Sequence, residues 1–266
     1  MNSLSWLQYF EANRRNFIDP DWQSPCPLSP ELRTSLARSL SHFQLGESGT
    51  GRHLFVTAAE QVEDDAAYRK ALELFVAEEG EHARLLQFLV ERLGGRLIKR
   101  HWRHLLFRAA RRALGLNFEI QVLLIAELVG TAYYRVLQRR ARDPILDQVC
   151  TRILADEAQH IAFHLDYLRA INAELLPAER AAWSLQLQLL FTAALHAAWI
   201  DHRGALAATG AKRGEFCSEA RGQCISFLDA LTASRTVRAS EGPAPLPAAL
   251  LHPDYDIFLT IAGDRC

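Results

Sequence analysis

A long stretch of sequence almost free of proline constrains the fold more than any other feature. Between Pro30 and Pro177 the chain contains one further proline, Pro144, and glycines are sparse, while Ala, Leu, Arg, Gln and Glu dominate. Proline and glycine disfavour helix interiors, whereas these other residues favour them. The stretch therefore predicts a succession of helices, and we expect an all-α fold.

Helix caps and breakers divide the stretch into four predicted helices. Pro30 begins the first, which we expect to continue unbroken to about residue 60. Gly94 and Gly95 end the second, and Asp143 caps the fourth. The four predicted helices span residues 30–60, 65–93, 114–140 and 144–172, and two more are predicted at residues 177–208 and 215–233.

The order of these elements predicts one domain with three parts. Residues 1–30 form an N-terminal extension, and residues 31–172 form a four-helix bundle with a long crossover between helices two and three. Residues 173–266 supply C-terminal helices and a tail that contains several prolines and docks on the surface.

Composition and charge exclude several classes of protein. The chain has 30 Lys+Arg against 31 Asp+Glu, so no overall positive charge favours nucleic acid. Its five cysteines form neither a CxxC pair nor a zinc pattern, which predicts reduced thiols. The N-terminus lacks the profile of a secretory signal, and no apolar run reaches the roughly 18–20 residues of a membrane span. We therefore expect a cytoplasmic protein without a nucleic-acid partner.

Two motifs of the form Glu-x-x-His carry the candidate chemistry. They are Glu79-x-x-His82 and Glu157-x-x-His160. One copy would arise readily by chance, but each copy also has a glutamate at a similar distance upstream. Glu47 lies 32 residues before the glutamate of the first motif, and Glu127 lies 30 residues before that of the second. The midpoints of both intervals fall on predicted turns, so each pair straddles a helical hairpin at equal depth.

All six side chains lie on apolar seams of their predicted helices, which indicates that they face a shared core. The seam of the second helix, with steps of three and four residues, runs through Leu72, Phe75, Glu79, His82 and Leu86. Four carboxylates buried together need compensating positive charge. Two divalent cations provide it, and mixed oxygen and nitrogen ligation favours iron or manganese over structural zinc.

The combined pattern resembles the ferritin-like di-iron carboxylate superfamily. The residues that carry the resemblance are Glu47, Glu79, His82, Glu127, Glu157 and His160, within residues 31–172. The resemblance implies a ferritin-like four-helix bundle in which these side chains bind two iron ions, or a manganese and an iron ion. It also implies an O2-dependent oxidoreductase that receives electrons from an external donor, because the chain has no flavin or iron–sulfur motif.

Residues beside these six predict a pocket and favour the oxidase or oxygenase branch of the superfamily. Leu86 stands where small subunits of ribonucleotide reductase carry a radical tyrosine. Thr131 resembles a threonine of bacterial multicomponent monooxygenases, although a hydroxyl bonded to a backbone carbonyl explains it equally well. Gly49 and Gly51 either leave room for O2 or substrate or mark a kink. Tyr134 completes the predicted pocket.

Three further residues are candidates for ligands or for contacts to ligands. His164 lies one turn beyond the second motif on the same seam, where it could be a seventh ligand or a buried contact. Asp156 and Glu78 each precede a motif glutamate by one position. They resemble acids that hold ligand histidines in place, although a solvated surface position suits Glu78 equally.

These observations favour a di-iron oxidase or oxygenase that uses O2 to oxidise a small, partly apolar organic substrate. Two alternatives stay open, namely a ferroxidase or peroxide-scavenging protein, and a metal-stabilised interaction module. The module would use residues 92–112, which contain eight Lys or Arg and no acid and could contact a carrier protein or a membrane surface. The same segment could instead be a solvated face whose arginines pair with acids elsewhere. A homodimer also stays open.

Overall fold

The computed structural model describes residues 2–15, 19–62, 64–99 and 115–233. Within these ranges the chain is all-helical, with eight helices and no strand. The helices are α1 (Ser3–Asn13), α2 (Pro30–Glu47), α3 (Arg52–Gln61), α4 (Ala66–Arg92), α5 (Leu116–Arg140), α6 (Pro144–Glu174), α7 (Pro177–Ala208) and α8 (Arg213–Thr232). The predictions made for most of residues 92–112 and for the C-terminal tail lie outside the described residues.

The predicted all-α class is confirmed, and the helix ends follow the sequence signals. The Asp65 carboxylate accepts a hydrogen bond from the Tyr68 backbone N–H at 2.8 Å where α4 begins. The Asp143 carboxylate accepts one from the Leu146 backbone N–H, also at 2.8 Å, where α6 begins. Gly94 adopts a φ of 79° just after α4, in the left-handed region that glycine enters without steric cost.

Helices α4 and α5 make most of the contacts between helices. Helix α4 packs against α1, α2, α3 and α6, and α5 packs against α3, α6, α7 and α8. The helices that carry the candidate ligands each contribute fully buried apolar side chains, such as Leu40, Leu72, Leu124 and Ile153. Burying one such side chain stabilises the fold by about 1.5–3 kcal/mol, so the ligands stand in a well-supported core.

The prediction of one unbroken helix over residues 30–60 is wrong. Helix α2 ends at Glu47 and α3 begins at Arg52, with Gly51 in the left-handed region at a φ of 61°. Three of the six residues at positions 46–51 are glycines, which raise the free-energy cost of continuing the helix. Gly51 also adopts a backbone conformation that other residues rarely adopt. Glu47 therefore stands at the end of a helix and not in its interior.

Two observations bear on the predicted cytoplasmic location. Among the described residues, α5 is the one helix long and apolar enough to cross a membrane, but 83% of its apolar window is buried inside the protein, which is typical of a core helix. Cys26, Cys150 and Cys224 carry free thiols, as predicted. Cys217 is disulfide-bonded, so the prediction of a reduced thiol is wrong there; its spacing from the other cysteines carries no pairing signal.

Arg92, the first residue of the basic segment, has buried partners. Its guanidinium donates to both carboxylate oxygens of Asp143 at 3.0 Å, and also to the backbone carbonyls of Ser24 and Pro25. The Arg92 side chain is only 7% exposed and Asp143 is not exposed at all. This arginine therefore joins the end of α4 to the start of α6 and is not part of an exposed basic surface.

Replacing Gly51 with alanine should destabilise the protein. An added Cβ would lie 2.8 Å from both methyl groups of Val76, and the left-handed backbone alone costs a non-glycine residue roughly 1–2 kcal/mol. The matched control is Gly204→Ala in α7, where an added Cβ meets nothing within 4 Å and should stabilise the helix by about 0.5–1 kcal/mol. Urea unfolding measures both, and equal effects of the two variants would contradict this account of the break.

Candidate metal centre

Four side chains from two helices converge in the core. Glu79 and His82 come from α4, and Glu157 and His160 come from α6. One potential ligand atom from each lies within 4.8 Å of all the others, and the set is almost entirely buried. A spacing of three residues places the glutamate and histidine of each motif on one face of its helix, so two packed helices suffice to bring the four together.

Each histidine of this cluster is held from outside by an acid of the opposite helix. The Nε2 atom of His82 lies 3.1 Å from a carboxylate oxygen of Asp156, and the Nε2 atom of His160 lies 3.0 Å from one of Glu78. Glu78 is only 5% exposed, so it is not the solvated surface residue that the sequence left open. A carboxylate accepts hydrogen bonds, which places the ring hydrogen on Nε2 and leaves Nδ1 facing inward.

The inward-facing atoms of the cluster have no hydrogen-bond partner. These atoms are Nδ1 of His82 and of His160, Oε1 of Glu79 and Oε2 of Glu157. His160 Nδ1 lies 2.8 Å from Glu79 Oε1 and 3.6 Å from Glu157 Oε2, and neither contact has hydrogen-bond geometry. Buried polar atoms are nearly always satisfied in folded proteins, so a group of orphans that face one another fits a bound cation.

The upstream glutamates lie beside the tight group of four. The carboxyl group of Glu47, at the end of α2, lies close enough to Glu79 that burial and the charge of Glu79 together raise the pKa of Glu47. Glu127, on α5, is 7% exposed, and its Oε1 atom lies 2.9 Å from Nε2 of His164. Its Oε2 atom has no partner and is buried. Both glutamates could therefore supply further oxygen ligands, although neither belongs to the tight group itself.

His164 contacts a candidate ligand instead of joining the tight group. Its ring is fully buried, with edge-to-face contact to Phe75 at 5.1 Å between ring centres. Its Nε2 atom faces Glu127, while Nδ1 has no partner. Of the two roles that the sequence left open, the geometry favours a contact that orients Glu127.

The residues predicted to line a pocket fall into two groups. Thr131 and Tyr134 are buried on α5, and both hydroxyl groups lack a hydrogen-bond partner, so Thr131 does not bond a backbone carbonyl. Leu86 is fully buried and apolar. Gly49 is exposed, and a Cβ added to Gly51 would collide with Val76, so the kink explains this pair better than space for a ligand.

Burial and charge shift the pKa values of the cluster. Burial and then the charge of Glu79 raise the pKa of Glu157 from 4.5 to about 7. Burial and the contact with Glu79 raise the pKa of Glu47 well above its ordinary value. Burial opposes protonation of His160, but contacts with Glu157 and Glu78 outweigh it and raise its pKa. The metal-free cluster therefore holds protons that a bound cation would displace.

Several residues around the site were not predicted from the sequence. Asn13 donates hydrogen bonds to both outer acids, Glu78 and Asp156. Arg152 donates to Asp156 at 2.8 Å from one turn earlier on α6. The spacing of four residues could have revealed the Arg152 pair, whereas no local pattern links Asn13 to residues 65 and 143 positions away.

Comparisons with models of protein families, with curated proteins and with solved structures find no match for this chain. The observations that bear on function are therefore the all-helical fold and the buried group of histidines and glutamates. That group could hold a metal ion.

The metal-free protein should lose stability as pH rises. Between pH 4.5 and about 7 the folded chain keeps a proton on Glu157 that the unfolded chain releases. The free energy of unfolding therefore falls across this window, and the raised pKa values of the histidines extend the loss to higher pH. We expect a difference on the order of 1 kcal/mol or more between about pH 5 and about pH 7.5 in urea unfolding.

The control for this pH dependence is Glu157→Gln, which cannot ionise and should show a shallower slope than the unmodified protein. Parallel slopes for the two proteins would contradict the assignment to Glu157. A chelator must be present throughout, because a bound cation replaces the same protons.

Proposed function

We propose that the chain is a ferritin-like, dinuclear non-haem oxidoreductase that uses O2 to oxidise or oxygenate a small, partly apolar organic substrate. The observation that carries the proposal is the set of inward-facing nitrogen and oxygen atoms without hydrogen-bond partners. Imidazole and carboxylate together suit iron or manganese better than calcium or structural zinc. The proposal therefore includes two iron ions, or a manganese and an iron ion, as the bound metals.

The order of the donors along the chain divides them into two halves, although each histidine lies closer to the glutamate of the opposite motif. Glu79 and His82 would form one half with Glu47, whose pKa burial and the charge of Glu79 raise. Glu157 and His160 would form the other half with Glu127, whose charge acts on Glu157. Each half then offers one nitrogen and two carboxylates, the donor set of di-iron and di-manganese carboxylate bundles.

The chain's own residues would orient the ligands and exclude water. Asp156 and Glu78 hold the Nε2 hydrogens outward, which keeps the Nδ1 lone pairs pointed into the site. Phe75 packs edge-to-face on His160 at 4.7 Å, and Leu86 is fully buried, so the walls are apolar. When bound, the metal ions would supply the redox chemistry that no side chain here can supply.

Two buried hydroxyl groups would serve the substrate side of the site. Burial and the charge of Glu47 keep the pKa of Tyr134 well above its ordinary value, so its hydroxyl retains its proton and can donate a hydrogen bond. The hydroxyl of Thr131 is also buried and without a partner. Both can hold a proton or a hydrogen bond beside an oxygen-containing reactant.

The remaining parts of the proposal concern the setting of the enzyme. The proposal includes an external electron donor and a cytoplasmic location for the protein. Contact with a carrier protein or a membrane surface through residues 92–112 would depend on the rest of that segment, because Arg92 is already engaged with Asp143. A homodimer remains compatible with the proposal.

Metal binding is the first experimental test. Anaerobic titration of the metal-free protein with Fe(II) should show about two ions per chain, checked by elemental analysis. His82→Ala should abolish binding of at least one ion. The matched control is His53→Ala, because His53 forms a 2.8 Å contact with Glu119 outside the cluster and should leave binding unchanged. Equal binding by all three proteins would refute the proposed centre.

Oxygen consumption is the second test and separates the proposed enzyme from its alternatives. With Fe(II), a reductant and a set of small apolar organic compounds, the enzyme should consume O2 faster when an acceptable compound is present. O2 uptake that tracks Fe(II) alone and ignores every compound would indicate a ferroxidase. No O2 uptake by metal-loaded protein would favour the interaction module.

A further inference from the structure

The two acids that hold the histidines meet at a third side chain. The amide nitrogen of Asn13 donates to Oε1 of Glu78 at 2.8 Å and to Oδ1 of Asp156 at 2.9 Å. The other oxygen of each acid faces a histidine, His160 or His82. One amide group therefore contacts both outer acids, and through them it is connected to both histidines of the cluster.

Helix α1 places Asn13 beside the outer acids, and buried contacts hold this helix in position. Asn13 is the last residue of α1, which packs along α4. Phe10 is fully buried against Phe163 at 5.3 Å and against the ring of His160 at 6.1 Å. The indole N–H of Trp6 donates to Asp166 at 3.1 Å. These contacts fix the end of α1 over the outer acids, and the N-terminal extension becomes part of the site's surroundings.

The two outer acids repel each other, and the hydrogen-bond donors around them show how the amide of Asn13 reduces this repulsion. Besides Asn13 and His82, Asp156 accepts a hydrogen bond from Arg152 at 2.8 Å, so it has a charged partner of its own. Glu78 has only His160 and Asn13 among the described hydrogen bonds. Two carboxylates at one point repel each other, and a neutral donor that bonds both reduces the repulsion without adding a charge.

A cavity beside the two outer acids offers their carboxylates a second position, away from the histidines. It has a volume of about 260 Å³ and is lined by Arg14, Leu74, Ala77, Glu78, Glu81, Arg152 and Asp156. Without the amide, the Glu78 carboxylate could turn towards this space and towards water, and it would release the Nε2 atom of His160. The ring could then rotate, and its Nδ1 atom would no longer be held inward.

We propose that Asn13 is a positioning residue for the metal centre, which acts by holding Glu78 and Asp156 against the two ligand histidines. The inference rests on the proposed function in one respect, namely that the cluster binds metal ions. The outer acids and the histidines then form a continuous hydrogen-bonded unit that α1 completes.

The experiment compares Co(II) binding by the unmodified protein, Asn13→Asp and Asn13→Ala. Asn13→Asp keeps the shape of the side chain but replaces the donor with a third carboxylate, whereas Asn13→Ala removes the donor without adding charge. We expect Co(II) affinity to fall about 10- to 100-fold in both variants, the range typical of lost outer contacts to ligands. The visible ligand-field spectrum of bound Co(II) should change as well, because the histidine geometry relaxes.

The matched control is Ser3→Ala, which removes the 2.5 Å hydrogen bond from Ser3 to Asp65 at the end of α1 opposite to Asn13 and leaves the contacts of Trp6 and Phe10 in place. It should lower thermal stability while leaving Co(II) affinity and spectrum unchanged. In metal-free protein at a pH above the raised pKa values of both rings, nitrogen NMR should show the Nε2–H form of His82 and His160, with a mixed population in Asn13→Ala.

The outcomes separate this inference from the proposed function. Affinity and spectrum unchanged in Asn13→Ala, with normal binding by the unmodified protein, would overturn the role of Asn13 alone. Equal weakening by Ser3→Ala would overturn it too, since a purely structural effect would then suffice. Absence of Co(II) binding by the unmodified protein would overturn both proposals. If Asn13→Asp does not fold, Asn13→Ala and the NMR measurement decide.

Discussion

The crossed pairing of histidines and acids between α4 and α6 is the interaction on which the rest of the site depends. Each helix supplies a histidine and also the acid that holds the other helix's histidine. The pairing fixes which ring nitrogen carries hydrogen, so both lone pairs point to the same interior space. It also joins the helices through buried polar groups, so the register of α4 against α6 and the geometry of the cluster are set together.

The surroundings of the cluster are built in layers of different chemistry. Acceptors without partners lie innermost, imidazole rings and their outer acids come next, and the amide of Asn13 with the guanidinium of Arg152 lies outside these. Aromatic rings fill the remaining space, with Phe75 against both His160 and His164. Such an arrangement confines charge to a small volume within an apolar core, where electrostatic interactions are strongest.

Much of this arrangement follows from local sequence signals. The Glu-x-x-His spacing places two groups on one helix face, and the caps at Asp65 and Asp143 set where α4 and α6 begin, so the cluster of four was predictable. The break after Glu47 is not evident from periodicity, because an apolar seam continues across it through Phe43, Gly51 and Leu54. The contact of Asn13 could not be predicted, because it depends on how α1 docks on distant helices and no periodicity encodes that docking.

The break after Glu47 gives the six candidate ligands unequal freedom. Five of them sit within α4, α5 or α6, where backbone hydrogen bonds run in both directions along the helix. Glu47 occupies the final turn of α2, whose last carbonyl groups have no onward partners within that helix. Helix ends open at far lower cost than helix interiors. Glu47 can therefore change position at lower cost than the three other carboxylates and the two histidines, so the end of α2 is the most adaptable part of the candidate site.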